Sequence, residues 1–210
     1  MDGNNRWSKK KNVQKIDAYK KGAKNLISLS KYLFDKYNIK NLSAFALSSH
    51  NLKRTNNFTT IFISVLEYFL LEFEKFNINF KIKFIGNLTF IRNKKLIESL
   101  NNIEKNNSKS RYTLTIFINY SGTLDIINAA KNYHLNNQKQ KFSDLLSTNI
   151  LPDPDMLIRS GGYKRISDFM LFEISFTDLF FSNKLWPDLN NRDIDRFMNK
   201  FSKIERKFGI

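Results

Sequence analysis

The sequence contains no cysteine and only two histidines, His50 and His134. Without cysteine the chain has no disulfide, thiolate nucleophile, zinc finger or iron–sulfur cluster, and two histidines exclude a histidine-rich metal site. Only three prolines and seven glycines occur among the 210 residues, and no Pro/Gly/Ser-rich linker divides them. We therefore predict a single domain over residues 1–210.

The sequence also shows no targeting signal and no membrane span. It opens on polar residues and turns basic without an apolar stretch, so no secretory signal is predicted. The longest apolar run, 61–71, is interrupted by Ser64 and Glu67 and is shorter than the roughly 20 residues that cross a bilayer. We expect a cytoplasmic protein, at most peripheral at the inner face of the membrane.

Negative charge is scarce relative to positive charge. The 35 Lys and Arg residues against 19 Asp and Glu residues leave a formal charge of +16. Such an excess suits nucleic acid, an anionic membrane surface or phosphorylated small substrates. It also fits a merely solvated surface in a chain rich in Lys, Asn, Ile and Phe. Because no RNP motif or recognition-helix signature is present, we predict no nucleic-acid partner.

Apolar spacing predicts strands that alternate with helices. Helices are predicted over 15–37, 58–76, 94–105, 124–133, 143–147 and 193–208, and strands over 42–47, 80–85, 112–119 and 155–159. This order indicates βαβ crossovers and an α/β domain whose mostly parallel sheet is flanked by helices. Ligands of such sheets bind at the carboxyl ends of the strands. The helix over 58–76 is apolar on nearly all sides, which fits a core helix or the wall of a lipid-holding cleft.

Three segments carry residues suited to phosphate chemistry. In 2–7 a glycine exposes backbone amides, Arg6 offers a fork of donors, and Asp2 could bind Mg²⁺; a frayed terminus is the alternative. The segment 159–167 combines three cations with two glycines, as suits a diphosphate; a basic turn is the alternative. In 48–54 a serine precedes a histidine without a nucleophile-elbow pattern, so phosphate binding is favoured over hydrolysis.

Five motifs, in order along essentially the whole chain, resemble those of the cis-prenyltransferases, the undecaprenyl diphosphate synthase family. The first, MDGNNRW, is similar to the family's M-D-G-N-G-R-W. The others are ALSSHNLKR at 46–54 (A-F-S-x-E-N-W-x-R), NYSGTLDI at 119–126 (N-Y-G-G-R-x-E-I), DMLIRSGG at 155–162 with RISDF at 165–169 (D-L-x-I-R-T-G-G and R-I-S-N-F), and DLFF at 178–181 with LWPD at 185–188 (E-L-Y-F and L-W-P-D).

The resemblance implies an activity. Enzymes of this family elongate an allylic diphosphate, such as farnesyl diphosphate, by repeated addition of isopentenyl diphosphate with cis double bonds. It further implies Mg²⁺ dependence, an undecaprenyl-type cell-wall lipid carrier as product, a homodimer, membrane contact through the product, and an apolar substrate tunnel. Family members carry an apolar strand directly before the first motif, and here that strand is expected to be missing because the chain begins at Met1.

The resemblance also assigns residue roles by position. Asp2 and Asn51 are the implied catalytic residues: Asp2 would bind Mg²⁺ and the allylic diphosphate, and Asn51 would assist proton removal. Asp178 is implied as the second metal carboxylate. The implied substrate-binding residues are Gly3, Asn4, Asn5, Arg6, Trp7, Lys15, Tyr19, Ser48, Ser49, His50, Leu52, Arg54, Arg159, Arg165, Ile166 and Ser167.

Several positions depart from the family pattern. The family's histidine, tryptophan, glutamate and arginine are replaced by Tyr19, Leu52, Phe58 and Thr123, respectively. These replacements motivate a second hypothesis, in which the chain is a non-catalytic relative that supports another prenyltransferase.

Overall fold

The computed structural model describes residues 1–52, 56–76, 80–106, 109–135 and 139–206. Its helices are α1 (Asn4–Lys11), α2 (Lys15–Tyr37), α3 (Ser49–Leu52), α4 (Asn56–Lys75), α5 (Lys94–Asn106), α6 (Gly122–Leu135) and α7 (Asn191–Phe201). Its strands are β1 (Asn41–Ser48), β2 (Lys81–Ile85), β3 (Thr113–Tyr120), β4 (Met156–Arg159) and β5 (Asp178–Phe181). Short 3-10 helices cover Phe142–Leu145 and Trp186–Asp188.

The strands form parallel pairs, as the alternation of strands and helices predicts. The first sheet has the order β1-β3-β2, with Thr113 opposite both Asn41 and Lys81. The central strand β3 is buried along most of its length, including Leu114 and Phe117, because parallel sheets are covered on both faces. The predicted α/β class with a parallel sheet flanked by helices is confirmed.

A second sheet was not expected from the sequence. Strand β4 pairs in parallel with β5, from Met156 opposite Asp178 to Arg159 opposite Phe181. The sequence pattern did not indicate β5, because this strand has only four residues and no clear alternation of buried and exposed side chains. The pairing places residues after β4 beside residues after β5, which brings two distant loops together.

Helix α4 is both a core helix and a cavity wall; that the cavity holds lipid stays a prediction. Phe62, Leu66 and Phe69 belong to the main hydrophobic core, at most 7% exposed. The same three side chains line a large cavity. Helix α2 lies against α4 and contributes Leu26 and Ile27 to that core.

Helices α1 and α7 each begin at a residue that suits the N-terminus of a helix. Helix α7 begins with a capping box: the Asp193 N–H donates to Asn190 Oδ1 (3.3 Å), and the Asn190 N–H donates to Asp193 Oδ2 (3.0 Å). Helix α1 begins after Gly3, whose φ of +102° suits glycine.

No helix among the described residues is long and apolar enough to cross a membrane.

One edge of β1 and one edge of β4 have no strand partner in the part of the chain that the structure describes. Both edges line the same cavity, through residues 41–46 and 156–159. Met1 also lines it, and burial lowers the pKa of its amino group to about 6. The absence of the family's first strand stays a prediction.

Glu173 is a buried carboxyl group with one unsatisfied oxygen. It is 8% exposed, accepts a hydrogen bond from Thr148, and has no partner at Oε2 among the described residues. Burial raises its pKa, against the opposing hydrogen bond from Thr148. Since the raised pKa means that the folded state retains a proton the unfolded state releases, stability should fall as pH rises above the unfolded value.

We expect Glu173→Gln to raise the free energy of unfolding by about 1 kcal/mol at pH 8 and to flatten its pH dependence between pH 5 and pH 8. Urea unfolding across this range measures both effects. Glu72→Gln is the matched control, because Glu72 is equally buried but paired with Lys75 (3.2 Å) and Lys24 (3.7 Å); it should lose stability. A Glu173→Gln variant that is less stable than wild type at pH 8 would contradict the raised pKa of Glu173.

Candidate active site

The N-terminal motif and the glycine-rich segment after β4 meet in space. The Asp2 N–H donates to Ser160 Oγ (3.1 Å), and the Trp186 N–H donates to the Asp2 carbonyl oxygen (2.9 Å). Asp2 is therefore fixed from both sides although 158 residues separate it from Ser160. The site lies at the carboxyl end of β4, where parallel sheets place their ligands.

Two arginines hold the Asp2 carboxylate. Arg159 Nη2 lies 3.1 Å from Asp2 Oδ2, and Arg6 Nη2 lies 3.4 Å from Asp2 Oδ1. Arg159 also donates to Ser167 Oγ (2.6 Å) and to the Arg165 carbonyl oxygen. Its side chain is 13% exposed, so a nearly buried guanidinium links the two motifs.

Gly161 makes this close approach possible. Its φ is +91°, and a Cβ there would lie 2.8 Å from Arg6 Nη2 and 3.1 Å from Asp2 Cβ. The turn is anchored to the second sheet, because the Gly161 and Gly162 N–H groups donate to the Lys184 and Ser182 carbonyl oxygens (2.7 and 2.8 Å). A larger residue at Gly161 would displace the carboxylate and the arginine together.

Two buried polar atoms at this site have no hydrogen-bond partner among the described residues. They are Asn4 Oδ1 and Arg159 Nε. Buried polar atoms are satisfied in the great majority of cases, and exceptions call for an explanation such as a bound ion or water. Asn4 Oδ1 lies against Gly22 on α2, whereas Arg159 Nε belongs to the guanidinium that contacts Asp2, so the open cationic donor fits an anion bound at this site.

A cavity of about 1450 Å³ opens from these residues. It exceeds the 300–1,000 Å³ usual for small-ligand pockets, because it combines the polar site, a trough between α2 and α4, and the gap between β1 and β4. Its polar end holds the residues of the N-terminal and glycine-rich motifs, and its far walls are apolar side chains such as Leu26, Val65 and Phe69. The arrangement can hold a molecule with a charged head and an apolar tail.

The segment after β1 forms another wall of the polar end. Ser48 ends β1, its Oγ accepts from the Asn51 N–H (3.2 Å), and Asn51 and His50 lie on the short helix α3 that follows. His50 Nε2 lies 3.8 Å from Asp168 Oδ2. Burial raises the pKa of Asp168, but hydrogen bonds from Ser121 and Thr123 and the nearby His50 outweigh it, and the net pKa is lowered.

Two departures from the family pattern face each other. The rings of Tyr19 and Phe58 pack edge to face with centroids 5.9 Å apart, and both line the cavity. Where the family has a histidine and a glutamate, this chain has an aromatic pair between α2 and α4. This part of the cavity wall is therefore less polar than the family pattern implies.

Most of the substrate-binding residues implied by the resemblance line the cavity. They are Gly3, Asn4, Asn5, Arg6, Lys15, Tyr19, Ser48, His50, Arg159, Arg165, Ile166 and Ser167, together with the two implied catalytic residues Asp2 and Asn51. Arg54 lies outside the described residues.

Four other implied residues do not line it. Trp7 is buried, and its indole N–H donates to Asp188 Oδ1 (2.7 Å), so it anchors α1 instead of facing a substrate. Ser49 and Leu52 lie on α3 but outside the cavity wall. Asp178 stands opposite Met156, three residues or about 10 Å of strand before Arg159, and its carboxylate faces Arg206 (3.6 Å). Its implied role as the second metal carboxylate stays a prediction.

Three residues to which the sequence analysis gave no individual role also line the polar end: Ser160 and Tyr163, which lie in the predicted diphosphate-binding segment 159–167, and Asp168. Ser160 fixes Asp2, and Asp168 connects α6 to the segment near His50. The signal for Tyr163 was available, since it is an aromatic residue placed between two glycines and two cations.

Comparison with known proteins assigns the chain to a family. The family model described as putative undecaprenyl diphosphate synthase matches residues 1–209. The chain belongs to the cis-prenyltransferase family. It is 33% identical to an isoprenyl transferase of Aquifex pyrophilus, covering 100% of this chain and 93% of that relative.

Further relatives of this cis-prenyltransferase cover its whole length. It is 34% identical to a ditrans,polycis-undecaprenyl-diphosphate synthase, (2E,6E)-farnesyl-diphosphate specific, of Buchnera aphidicola subsp. Schizaphis graminum, covering 100% of this chain and 88% of that one. The crystal structure of lavandulyl diphosphate synthase from Lavandula x intermedia, in complex with dimethylallyl diphosphate, superimposes with a TM-score of 0.87 at 25% identity, covering 100% and 95% of the two chains. The predicted family is confirmed, and it supports an activity that transfers prenyl groups.

Proposed function

We propose that the protein condenses isopentenyl diphosphate with an allylic diphosphate, such as farnesyl diphosphate, into cis-polyprenyl diphosphates that serve as an undecaprenyl-type lipid carrier. The observation that carries this proposal is the convergence of Asp2, Arg6 and Arg159 at the polar end of a cavity whose far walls are apolar. A diphosphate fits the cationic end, and a growing isoprenoid chain fits the trough between α2 and α4.

The chemistry follows from charge and burial. When an allylic carbon–oxygen bond breaks, negative charge develops on the departing diphosphate, and fixed guanidinium groups stabilise it electrostatically. Arg159 is suited to this role because its nearly buried side chain is held by Asp2 and Ser167. The apolar chain leaves water as it grows, with a gain of about 0.8 kcal/mol per buried CH₂ group.

Asp2 would hold Mg²⁺ in this proposal. Mg²⁺ takes oxygen ligands and is usually bound through one or two carboxylates plus substrate phosphates. The Asp2 carboxylate, together with the substrate phosphates, fits that donor set, whereas no cluster of three or more metal-ligating side chains occurs in the described ranges. When bound, the ion would neutralise the negative charge that develops on the leaving diphosphate. Asn51, on the same cavity wall, would contact the condensing unit where a proton is removed.

We also propose that the enzyme acts as a homodimer. Exposed apolar side chains gather on α6 and on the segment that follows Met170, including Leu124, Ile127, Leu171 and Phe172. Leu171 lies against the start of α6 at Gly122, so these side chains share one face. Peripheral membrane contact through the product stays a prediction.

Purified protein incubated with farnesyl diphosphate, radiolabelled isopentenyl diphosphate and Mg²⁺ should yield products longer than the C15 primer, and EDTA should abolish them. Thin-layer chromatography of the products measures chain length. If product forms only when a second prenyltransferase subunit is added, the chain is the non-catalytic relative. No product under either condition would refute the proposed activity.

A further inference from the structure

Tyr163 stands at the centre of the arginine cluster. Its ring centroid lies 4.4 Å from the guanidinium carbon of Arg165, 4.8 Å from that of Arg6 and 5.8 Å from that of Arg159. The two glycines before it, with φ of +91° and +84°, turn the chain back along β5 and fix where the ring lies. One aromatic ring is thus shared by three cations.

The three arginines do not have enough carboxylates to hold them. Asp2 reaches Arg6 and Arg159, but no carboxylate in the described ranges lies within ion-pair distance of Arg165, whose described side-chain contact is the Tyr163 ring. Three like charges in one small volume repel each other. The electron-rich ring face offsets part of that repulsion.

A ring holds arginines differently from a carboxylate. A carboxylate would occupy the guanidinium N–H donors and cancel the charge that attracts an anion. A ring face contacts the plane of the guanidinium and leaves the in-plane N–H donors open. We infer that Tyr163 is a positioning residue: it holds Arg165 with its donors free for a diphosphate and, together with Asp2, keeps Arg6 and Arg159 aligned beside it.

This inference rests on the proposed function for the identity of the substrate, but it can be tested by binding alone. The probe is inorganic pyrophosphate, titrated calorimetrically into the full chain. Tyr163→Leu should weaken pyrophosphate binding about tenfold, and Tyr163→Phe should bind within about twofold of wild type because the ring is kept. Tyr68→Leu is the matched control, since Tyr68 is a half-buried tyrosine under Lys20 (5.5 Å) outside the cavity wall.

Turnover provides a second readout. With the substrates named above, Tyr163→Leu should raise KM for the diphosphate about tenfold with kcat within about threefold, and Tyr163→Phe should restore KM. Equal pyrophosphate binding by the Leu variant and wild type, equal losses in the Phe and Leu variants, or no binding by wild type would overturn the inference. Ring-dependent pyrophosphate binding without any prenyl product would uphold it and refute only the proposed function.

Discussion

Replacement of Asp2 with alanine is expected to lower turnover by roughly a thousandfold, the size of effect seen when a preorganised electrostatic group is removed. Asp2 is the carboxylate that both Arg6 and Arg159 contact, and in the proposed function it binds Mg²⁺ as well. The fold should persist, because the Asp2 backbone, not its side chain, makes the hydrogen bonds to Ser160 and Trp186. Single-turnover assays and thermal unfolding measure the two effects.

Asp195→Ala is the matched control for this change. Asp195 is a similarly exposed carboxylate (29%, against 34% for Asp2), held by Lys36, Tyr32 and Tyr37 outside the cavity wall. Hydrogen bonds from these partners lower its pKa to about 2, so its loss should reduce Tm while turnover is retained. An Asp2→Ala enzyme with wild-type turnover, or one that unfolds as readily as the control, would contradict the assigned role.

How far the sequence predicts the fold depends on whether a pattern is local. The prediction of a helix over 15–37 matches α2 at both ends, because its apolar face repeats regularly for six turns. Helix α1 was missed because its sequence is almost entirely polar; only Trp7 and Ser8 are buried. Its main anchor is the Trp7–Asp188 hydrogen bond across 181 residues, which no local window contains.

In the candidate site, too, the sequence predicted what depends on local residue chemistry and not what depends on packing. Residue chemistry indicated diphosphate binding in the segments 2–7 and 159–167, and the structure brings them together. Which side chains point into the cavity was not readable from the motifs, as Trp7 and Leu52 show. The direction of a side chain depends on helix phase and on partners from distant segments, and these are set by packing rather than by spacing.

The unpaired edges of β1 and β4 lead to the second prediction of large effect. Joining a five-residue apolar segment, such as Val-Ile-Val-Ile-Val, to Met1 should raise Tm by about 10 °C. Strands β1 and β4 both line the cavity, and Asp2 lies beside Ser160 at the carboxyl end of β4. An extended segment ending at Met1 would therefore run parallel to both edges and could pair with each.

The expected size follows from the hydrogen bonds and the buried groups. Pairing on two edges adds several backbone hydrogen bonds worth about 1 kcal/mol each, and the extension removes the buried amino group whose pKa is lowered to about 6. Ordering five residues costs about 1–2 kcal/mol per residue, and burial of each Val or Ile side chain gains about 1.5–3 kcal/mol, so these two terms nearly cancel and the net gain comes from the hydrogen bonds. A net gain of about 3–4 kcal/mol corresponds to about 10 °C in a chain of this length.

A Ser-Gly-Ser-Gly-Ser extension of equal length is the control, because it also moves the amino group but has little strand propensity and no apolar side chains. Thermal unfolding should separate the two extensions, and hydrogen exchange should show slowed amides on the β1 edge, around Ala44, only with the apolar one. Equal Tm values for both extensions would show that the cavity between β1 and β4 does not accept a strand. A rise in Tm together with faster turnover would mean that the paired strand fixes Asp2 more firmly, since preorganised ligands support catalysis better than mobile ones.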